Sequence, residues 1–163
     1  MDTLWSPWRS VYILGPKEKG CVFCKNFKQK KDRANLILHR GKHSFIIMNR
    51  YPYNSGHLMV CPVAHKSKLD ELTKAEYTEM FEFLTLCTKL LTSALPADGL
   101  NIGINLGEVA GSSIRDHLHI HIVPRFTGDT NFMPVLGLTR VQSFALLDTY
   151  DALKKHLKKL VKK

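Results

Sequence analysis

Three histidines separated by single apolar residues are the most informative feature of the sequence. His117, His119 and His121 alternate with leucine and isoleucine in the segment 117–123. Because side chains alternate across a β-strand, the three imidazoles would face one side of it, about 6.6 Å apart, and the apolar residues the other. A strand that is buried on one face and open on the other can carry a functional site. The pattern therefore predicts a site lined with histidines.

Three interpretations fit imidazoles on one face of a strand. A metal site is the first, since neutral imidazole is a common ligand. Nucleophilic catalysis is the second, in which one ring attacks while the others orient it or donate hydrogen bonds. An exposed histidine-rich strand is the third, and it ranks last because it leaves the loop before the strand unexplained.

That loop, residues 105–113, contains two glycines and ends in two serines. Gly107 and Gly111 allow backbone amides to approach an anion, and Ser112 and Ser113 add hydroxyl donors. A loop rich in glycine and serine can also be an ordinary connection. Its position directly before three histidines predicts a phosphate group held against imidazole.

Hydrophobic periodicity predicts the elements that position this site. Strand patterns occur at 36–39, 44–49, 57–61, 100–106 and 117–123. A capping box at Thr73 predicts a long helix over 73–95, and apolar residues at helical spacing predict a helix over the last stretch, with its apolar stripe packed on the domain. We therefore expect an α+β domain with an antiparallel sheet of about five strands.

Length and composition indicate one globular domain with extensions. The chain has 163 residues, of which 44% are apolar. The predicted divisions are an N-terminal arm over 1–35, irregular and carrying a Cys-x-x-Cys motif, a domain over 36–135, and a helical tail over 136–163. No apolar run approaches the ~18 residues of a membrane helix, and no signal-peptide pattern is visible. We expect a cytoplasmic protein whose four cysteines are thiols or metal ligands.

The positive charge is concentrated near the C-terminus. The net charge is +10, from 24 Lys and Arg against 14 Asp and Glu, and six of the lysines lie within 154–163. The remainder is only mildly basic, which disfavours a nucleic-acid partner and suits small polyanions. A solvated helix is the expected role of the tail, ahead of a membrane-surface or nucleic-acid role.

The segment 117–123 matches the histidine-triad pattern of the HIT superfamily of nucleotide hydrolases and transferases. Residues 4–9 resemble the N-terminal arm of one bacterial group. Residues 49–60 resemble the nucleoside-binding strand of the fragile-histidine-triad branch, and 128–132 resemble a loop of that branch and of its diadenosine tetraphosphate phosphorylases. The resemblance covers most of residues 4–135. It implies a HIT-like fold and a homodimer, with a tetramer as the alternative.

The resemblance implies cleavage of a dinucleoside polyphosphate through a covalent intermediate. His119 would attack an α-phosphorus to form a nucleotidyl-histidine, which water or inorganic phosphate would then release. The residues agree, since His119 is flanked by an imidazole on each side, His117 and His121. A neutral nucleophile needs its other ring nitrogen held by an acceptor, often a backbone carbonyl. The alternatives are a nucleoside phosphoramidase and a non-catalytic nucleotide- or metal-binding module.

Further substrate-binding residues follow from the resemblance. The candidate donors to phosphate are His121, Asn105 and Ser113. Nucleoside binding would fall to Asn49 and the loop 51–56, with capping of that loop as the alternative role of Asn49. His57 would lie close to the triad strand, where buttressing the sheet is its alternative role.

Cys21 and Cys24 have the spacing of half a tetrahedral zinc site. In zinc-containing HIT relatives the other ligands are a histidine after the strand-three proline and the first triad histidine, here His65 and His117. His43 is a competing ligand, and two reduced cysteines in a loop are the alternative to a metal site. The zinc would be structural, because four protein ligands leave no open position.

Overall fold

A five-stranded antiparallel sheet forms the centre of the protein. The computed structural model describes residues 20–112, 114–129 and 144–162. Its strands are β1 (Ile37–Arg40), β2 (Ser44–Met48), β3 (Leu58–Pro62), β4 (Gly99–Ile104) and β5 (Ile120–Arg125). Its helices are α1 (Val22–Gln29), α2 (Lys74–Ala94) and α3 (Leu146–Val161), with a 3-10 helix at Leu69–Glu71. The strand order β1-β2-β3-β5-β4 confirms the expected α+β fold.

The central strands β2 and β3 are buried along their whole length. They read as continuous apolar runs because α2 packs against both strands, while Phe23 and Phe27 of α1 pack against Phe45 of β2. The first two rings lie 6.4 and 5.0 Å from that of Phe45. The strand β3, with which the histidine-bearing strand β5 pairs, is therefore packed tightly in the core.

Helix α2 begins as its sequence predicts. Thr73 is the N-cap, its hydroxyl accepts from the amide of Glu76, and the Glu76 carboxylate accepts from the amide of Thr73. The same carboxylate pairs with Lys66 at 2.7 Å. The carbonyl of Lys66 in turn accepts from the amide of Leu118 at 2.6 Å. The start of α2 thus anchors the segment that carries the histidines.

Helix α3 covers the outer strand β1. The hydroxyl of Tyr150 donates to the carbonyl of Ile37 at 3.0 Å, and the ammonium of Lys154 donates to that of Leu38 at 2.5 Å. Leu153 is buried among the core residues. These contacts pair carbonyls that an uncovered edge strand would expose. The expectation that the apolar stripe of the last helix packs on the domain is confirmed.

The expectation of an irregular segment over 1–35 is wrong for residues 22–29, which form α1. The segment is polar apart from a few apolar residues, so its periodicity is weak. The helix is stabilised by tertiary packing, because Phe23 is buried in the core at 2% exposure. The second cysteine of the motif therefore lies in a helix, not in a loop.

The expectation that the fifth strand covers 117–123 is also wrong at both ends. Strand β5 begins at Ile120 and continues through Pro124 to Arg125. Its register with β3 pairs Val60 with Ile120, so Pro62 would oppose Leu118. Proline has no N–H to donate to the ladder. The amide of Leu118 instead donates to the carbonyl of Lys66. As a result His117 and His119 lie before the first residue of the strand.

In the described ranges, none of the helices has the length and apolar character that crossing a bilayer requires. The predicted arm at 4–9 and residues 130–132 of the loop after β5 lie outside the described residues.

Candidate active site and metal cluster

The ring of His119 is held by the backbone immediately before it. Its Nδ1 lies 2.8 Å from the carbonyl oxygen of His117. A carbonyl only accepts, so Nδ1 carries the ring proton and Nε2 keeps its lone pair. Burial lowers the pKa of His119 below the usual histidine value, which favours the neutral ring. The geometry is that of a neutral imidazole with one nitrogen available for attack.

A second pair of imidazoles forms a directed chain of hydrogen bonds. The amide of Tyr53 donates to Nδ1 of His57 at 3.2 Å, so this nitrogen is unprotonated. Nε2 of His57 then carries the proton and donates to Nδ1 of His121 at 2.9 Å. The proton of His121 is consequently on Nε2. A backbone amide thus makes His121 a hydrogen-bond donor at its far nitrogen.

Both rings of this chain are neutral at physiological pH. Burial, followed by the charge of His121, lowers the pKa of His57 to about 3. Burial, followed by the charge of His119, lowers the pKa of His121 to about 4. A protonated imidazole at either position would be poorly hydrated and would lie close to other imidazoles, so the charged form is disfavoured. The site therefore operates through neutral donors and acceptors.

Tyr53 lies in the loop 51–56 to which the sequence analysis assigned nucleoside binding, but its contact with the histidines was not predicted. The centroid of its ring lies 4.6 Å from that of His57 and 5.8 Å from that of His121. The rings of Tyr53 and His121 are stacked, with 30° between their planes. Half of the tyrosine side chain remains exposed. The only signal in the sequence was a pair of tyrosines within the loop 51–56, which does not indicate which of them reaches the histidines.

The loop that carries Tyr53 is fastened to the end of β5. The side-chain Nδ2 of Asn54 donates to the carbonyl of Pro124 and to the carboxylate of Asp129, both at 2.9 Å. Hydrogen bonding from Arg125 lowers the pKa of Asp129 to about 2, so the carboxylate stays ionised. These contacts hold the position from which the Tyr53 amide donates to His57.

Asn49, predicted to bind the nucleoside, contacts the protein itself. Its Oδ1 accepts from the amide of Tyr51 at 2.9 Å, and its Nδ2 lies 3.3 Å from Nδ1 of His57. This matches the alternative role of capping the loop. The nucleoside-binding role stays a prediction.

The glycine loop adopts the conformation that its glycines predict. Gly107 and Gly111 have φ of +86° and +87°, the left-handed region that favours glycine. The amides of Gly111 and Ser112 donate within the loop, and the hydroxyl of Ser112 donates to the carbonyl of Ile114 at 3.1 Å. A Cβ at Gly111 would lie 3.7 Å from the amide nitrogen of Asn105. The phosphate-binding roles stay predictions, and Ser113 lies outside the described residues.

Four side chains converge beside the triad. The ligand atoms of Cys21, Cys24, His65 and His117 all lie within 4.8 Å of one another, so the group can hold a metal ion. The competing His43 is not among them. The Nε2–H of His117 donates to the carbonyl of Pro62 at 2.8 Å, which leaves Nδ1 free to bind a metal. Pro62 and the cluster therefore occupy the two nitrogens of this ring, and neither is left for a substrate.

Phe23 is a residue that the sequence analysis missed. Its ring contacts both His117 and His119, with centroids 5.4 and 5.2 Å away. The sequence signal was a large apolar residue between the two cysteines, which reads as a core position when α1 is not recognised. The ring lies between the metal cluster and the buried imidazole of His119.

Comparison with known proteins identifies the family. The HIT domain model matches residues 29–128. This chain belongs to the HIT family. The AP-4-A phosphorylase of Mycobacterium tuberculosis is 35% identical over 157 residues, covering 91% of this chain and 80% of that protein. The bis(5'-adenosyl)-triphosphatase of Dictyostelium discoideum is 33% identical over 93 residues, covering 57% of this chain and 62% of that protein.

Solved structures of the HIT family share the fold. A zinc-bound histidine triad family protein from Mycobacterium smegmatis superposes with a TM-score of 0.71 at 24% identity, covering 88% of this chain and 96% of that chain. A hypothetical histidine triad nucleotide-binding protein from Sulfolobus tokodaii gives 0.68 at 25% identity, covering 87% and 92%. The predictions of a HIT-like fold and of an enzyme of this family are confirmed.

The lowered pKa values predict how stability depends on pH. Above about pH 6.5 neither the folded nor the unfolded chain protonates His57. Below pH 6.5 His57 becomes protonated in the unfolded chain, whereas in the folded chain it stays neutral down to about pH 3. The free energy of unfolding therefore decreases as the pH is lowered. We expect His57→Gln to reduce the slope of unfolding free energy between pH 6 and 4.5 by about 1.4 kcal/mol per pH unit.

Urea unfolding at several pH values measures this slope. His156→Gln in α3, outside this hydrogen-bond network, is the matched control for the loss of one histidine. An identical slope in wild type and His57→Gln would show that His57 is not held neutral in the folded protein.

Proposed function

We propose that this HIT protein cleaves a dinucleoside polyphosphate at an α-phosphate through a nucleotide covalently bound to His119. The observation that carries the proposal is the hydrogen bond from Nδ1 of His119 to the carbonyl of His117, because it leaves Nε2 as a neutral nucleophile. The names of the relatives, AP-4-A phosphorylase and bis(5'-adenosyl)-triphosphatase, support this substrate class.

The reaction has two displacements at one phosphorus. In the first, the Nε2 lone pair of His119 forms a bond to the α-phosphorus, and the bond to the bridging oxygen breaks to release a nucleoside polyphosphate. In the second, an oxygen of water or inorganic phosphate attacks the same phosphorus and the P–N bond breaks. Diadenosine tetraphosphate would yield ATP first, then AMP with water or ADP with phosphate.

The three histidines of the triad take different roles in this scheme. His121 donates from Nε2 to a phosphate oxygen, since its hydrogen-bond chain from Tyr53 places the proton there. His117 orients its neighbour through its carbonyl. The ring of His117 belongs to the four-residue cluster and donates to the carbonyl of Pro62, so His117 is a structural member of the triad.

Alanine at position 119 tests the nucleophile. We expect His119→Ala to fold normally and to lose at least a thousandfold in turnover, because removal of a covalent nucleophile costs many decades of rate. His156→Ala is the control and should keep wild-type turnover. More than a tenth of wild-type activity in His119→Ala would contradict the assignment.

Product analysis distinguishes the acceptor in the same assay. The relative that aligns along 91% of this chain is a phosphorylase, which favours inorganic phosphate as the acceptor. ADP from diadenosine tetraphosphate, formed only when phosphate is added, would indicate phosphorolysis, and AMP without phosphate would indicate hydrolysis. Tight nucleotide binding with neither product would indicate a non-catalytic module.

We also propose that the four-residue cluster binds zinc as a structural ion. Sγ of Cys21 and Nδ1 of His117 lie 3.2 Å apart, Sγ of Cys24 lies 3.5 Å from Nδ1 of His65, and the two Nδ1 atoms lie 3.3 Å apart. Tetrahedral zinc with ordinary bond lengths places its ligand atoms about 3.3 to 3.8 Å apart, within about 0.1 Å of these three separations. A bound ion would cross-link α1 to the segment before β5. The zinc-bound family member with the same fold is consistent with this.

Elemental analysis tests the metal. Protein purified without chelator or histidine tag should contain one zinc per chain, and Cys24→Ser should lose it together with thermal stability, because metal binding is coupled to folding. Cys87→Ala is the control, since this buried thiol lies outside the cluster and its loss should leave the zinc in place. Metal-free wild type with the same melting temperature as Cys24→Ser would contradict the proposal.

The predicted homodimer remains a proposal with structural support. Strand β4 lies at the edge of the sheet opposite β1, and its residue Ile102 is 48% exposed. On α2 the rings of Tyr77 and Phe81 stack at 4.6 Å and are 48% and 42% exposed. Large exposed apolar groups of this kind are typical of interfaces.

The cytoplasmic location also stays a prediction, supported by the four free cysteines.

A further inference from the structure

The first turn of α1 places one aromatic ring between the metal cluster and the proposed nucleophile. Cys21 is the N-cap of the helix and Cys24 lies in its first turn, so both thiols point to the cluster while Phe23 enters the core. The ring meets His117 at 74° and His119 at 61°, in edge contacts. It is 2% exposed, and the His119 ring that it contacts is 4% exposed, so the protein covers this side of the imidazole.

A single hydrogen bond does not fix the plane of an imidazole. The bond to the His117 carbonyl directs the Nδ1–H of His119, but the ring can still rotate about that bond, because the terminal torsion of histidine has a broad energy profile. Two ring contacts remove this freedom. His121 meets the ring edge-on at 4.7 Å, and Phe23 meets it at 5.2 Å.

We infer that Phe23 is a positioning residue that holds the imidazole of His119 in the orientation required for attack on phosphorus. Displacement reactions are sensitive to orientation, and a misplacement of about 1 Å can cost a hundredfold in rate. The inference rests on the proposed function, because it assumes that Nε2 of His119 is the reacting atom. The substrate does not contact Phe23 in this scheme, so the residue acts through His119.

The arrangement connects the metal cluster to the nucleophile by two routes. One route is the backbone, since His117 is a cluster residue and its carbonyl holds His119. The other is the side chain of Phe23, which Cys21 and Cys24 bracket in the sequence. Any change in the cluster that moves the first turn of α1 would therefore also move the ring that sets the plane of His119.

Two matched substitutions in α1 test the inference. Phe23→Leu removes the ring that contacts the histidines. Phe27→Leu removes a ring one turn later that packs on Phe45, and it is the control. Both proteins are compared at equal zinc content per chain and equal folded fraction. If Phe23→Leu fails to fold, Phe23→Met conserves volume better and carries the same expectation.

The first readout is the single-turnover rate at which radiolabelled diadenosine tetraphosphate labels the enzyme. We expect Phe23→Leu to lower this rate and the turnover number at least tenfold with a Michaelis constant within twofold of wild type. Phe27→Leu should stay within twofold on every parameter. Equal losses in the two variants, or a loss that appears only in the Michaelis constant, would overturn the inference.

The second readout needs no catalysis. The Nδ1 proton of His119 should give a slowly exchanging NMR signal in the substrate-free zinc protein, because it is buried and bonded to a carbonyl. Phe23→Leu should speed the exchange of this proton with water at least tenfold, and Phe27→Leu should leave its exchange rate within twofold of wild type. The exchange rate is the readout, because losing the aromatic ring changes the chemical shift even when the imidazole does not move. An unchanged exchange rate in Phe23→Leu would overturn the inference. Failure of the wild type to become labelled would instead contradict the proposed function, and the NMR comparison would still decide the positioning role.

Discussion

One hydrogen bond, from Nδ1 of His119 to the carbonyl of His117, decides what this site can do. It assigns the proton to Nδ1 and leaves Nε2 with the lone pair that the proposed nucleophile needs. The acceptor cannot change its role, because a carbonyl never donates. The acceptor is itself held, since the ring of His117 contacts the cluster at one nitrogen and Pro62 at the other. The proposed chemistry therefore depends on the folding of α1 and on the position of the end of β3.

The same principle operates on the other side of the nucleophile. The amide of Tyr53 is an obligatory donor, and through His57 it determines which nitrogen of His121 carries a proton. Burial keeps both rings neutral, as their lowered pKa values show. Burying imidazoles is costly unless their polar atoms are paired, and here each inward-facing nitrogen has a partner. Backbone groups thus determine the protonated nitrogen of both His119 and His121, the nucleophile and the donor of the proposed reaction.

Sequence periodicity predicted the sheet and α2 because these elements are long or strongly apolar. It could not predict where β5 begins, since that depends on Pro62, a residue of another strand. Helix α1 was missed because only Phe23 of its residues is buried, so tertiary contacts outweigh a weak local pattern. The ligand set came from the family resemblance, because spacing alone did not separate His65 from His43.

The most direct test of the central claim is to identify the nitrogen that becomes bonded to phosphorus. The intermediate can be trapped by mixing ¹⁵N-histidine-labelled enzyme with substrate and then quenching the reaction. The ³¹P–¹⁵N coupling in the NMR spectrum then shows whether phosphorus is bonded to Nδ1 or to Nε2. The hydrogen bond to the His117 carbonyl predicts phosphorus on Nε2 of His119, with the proton retained on Nδ1. Phosphorus on Nδ1, or on any residue other than His119, would contradict this account.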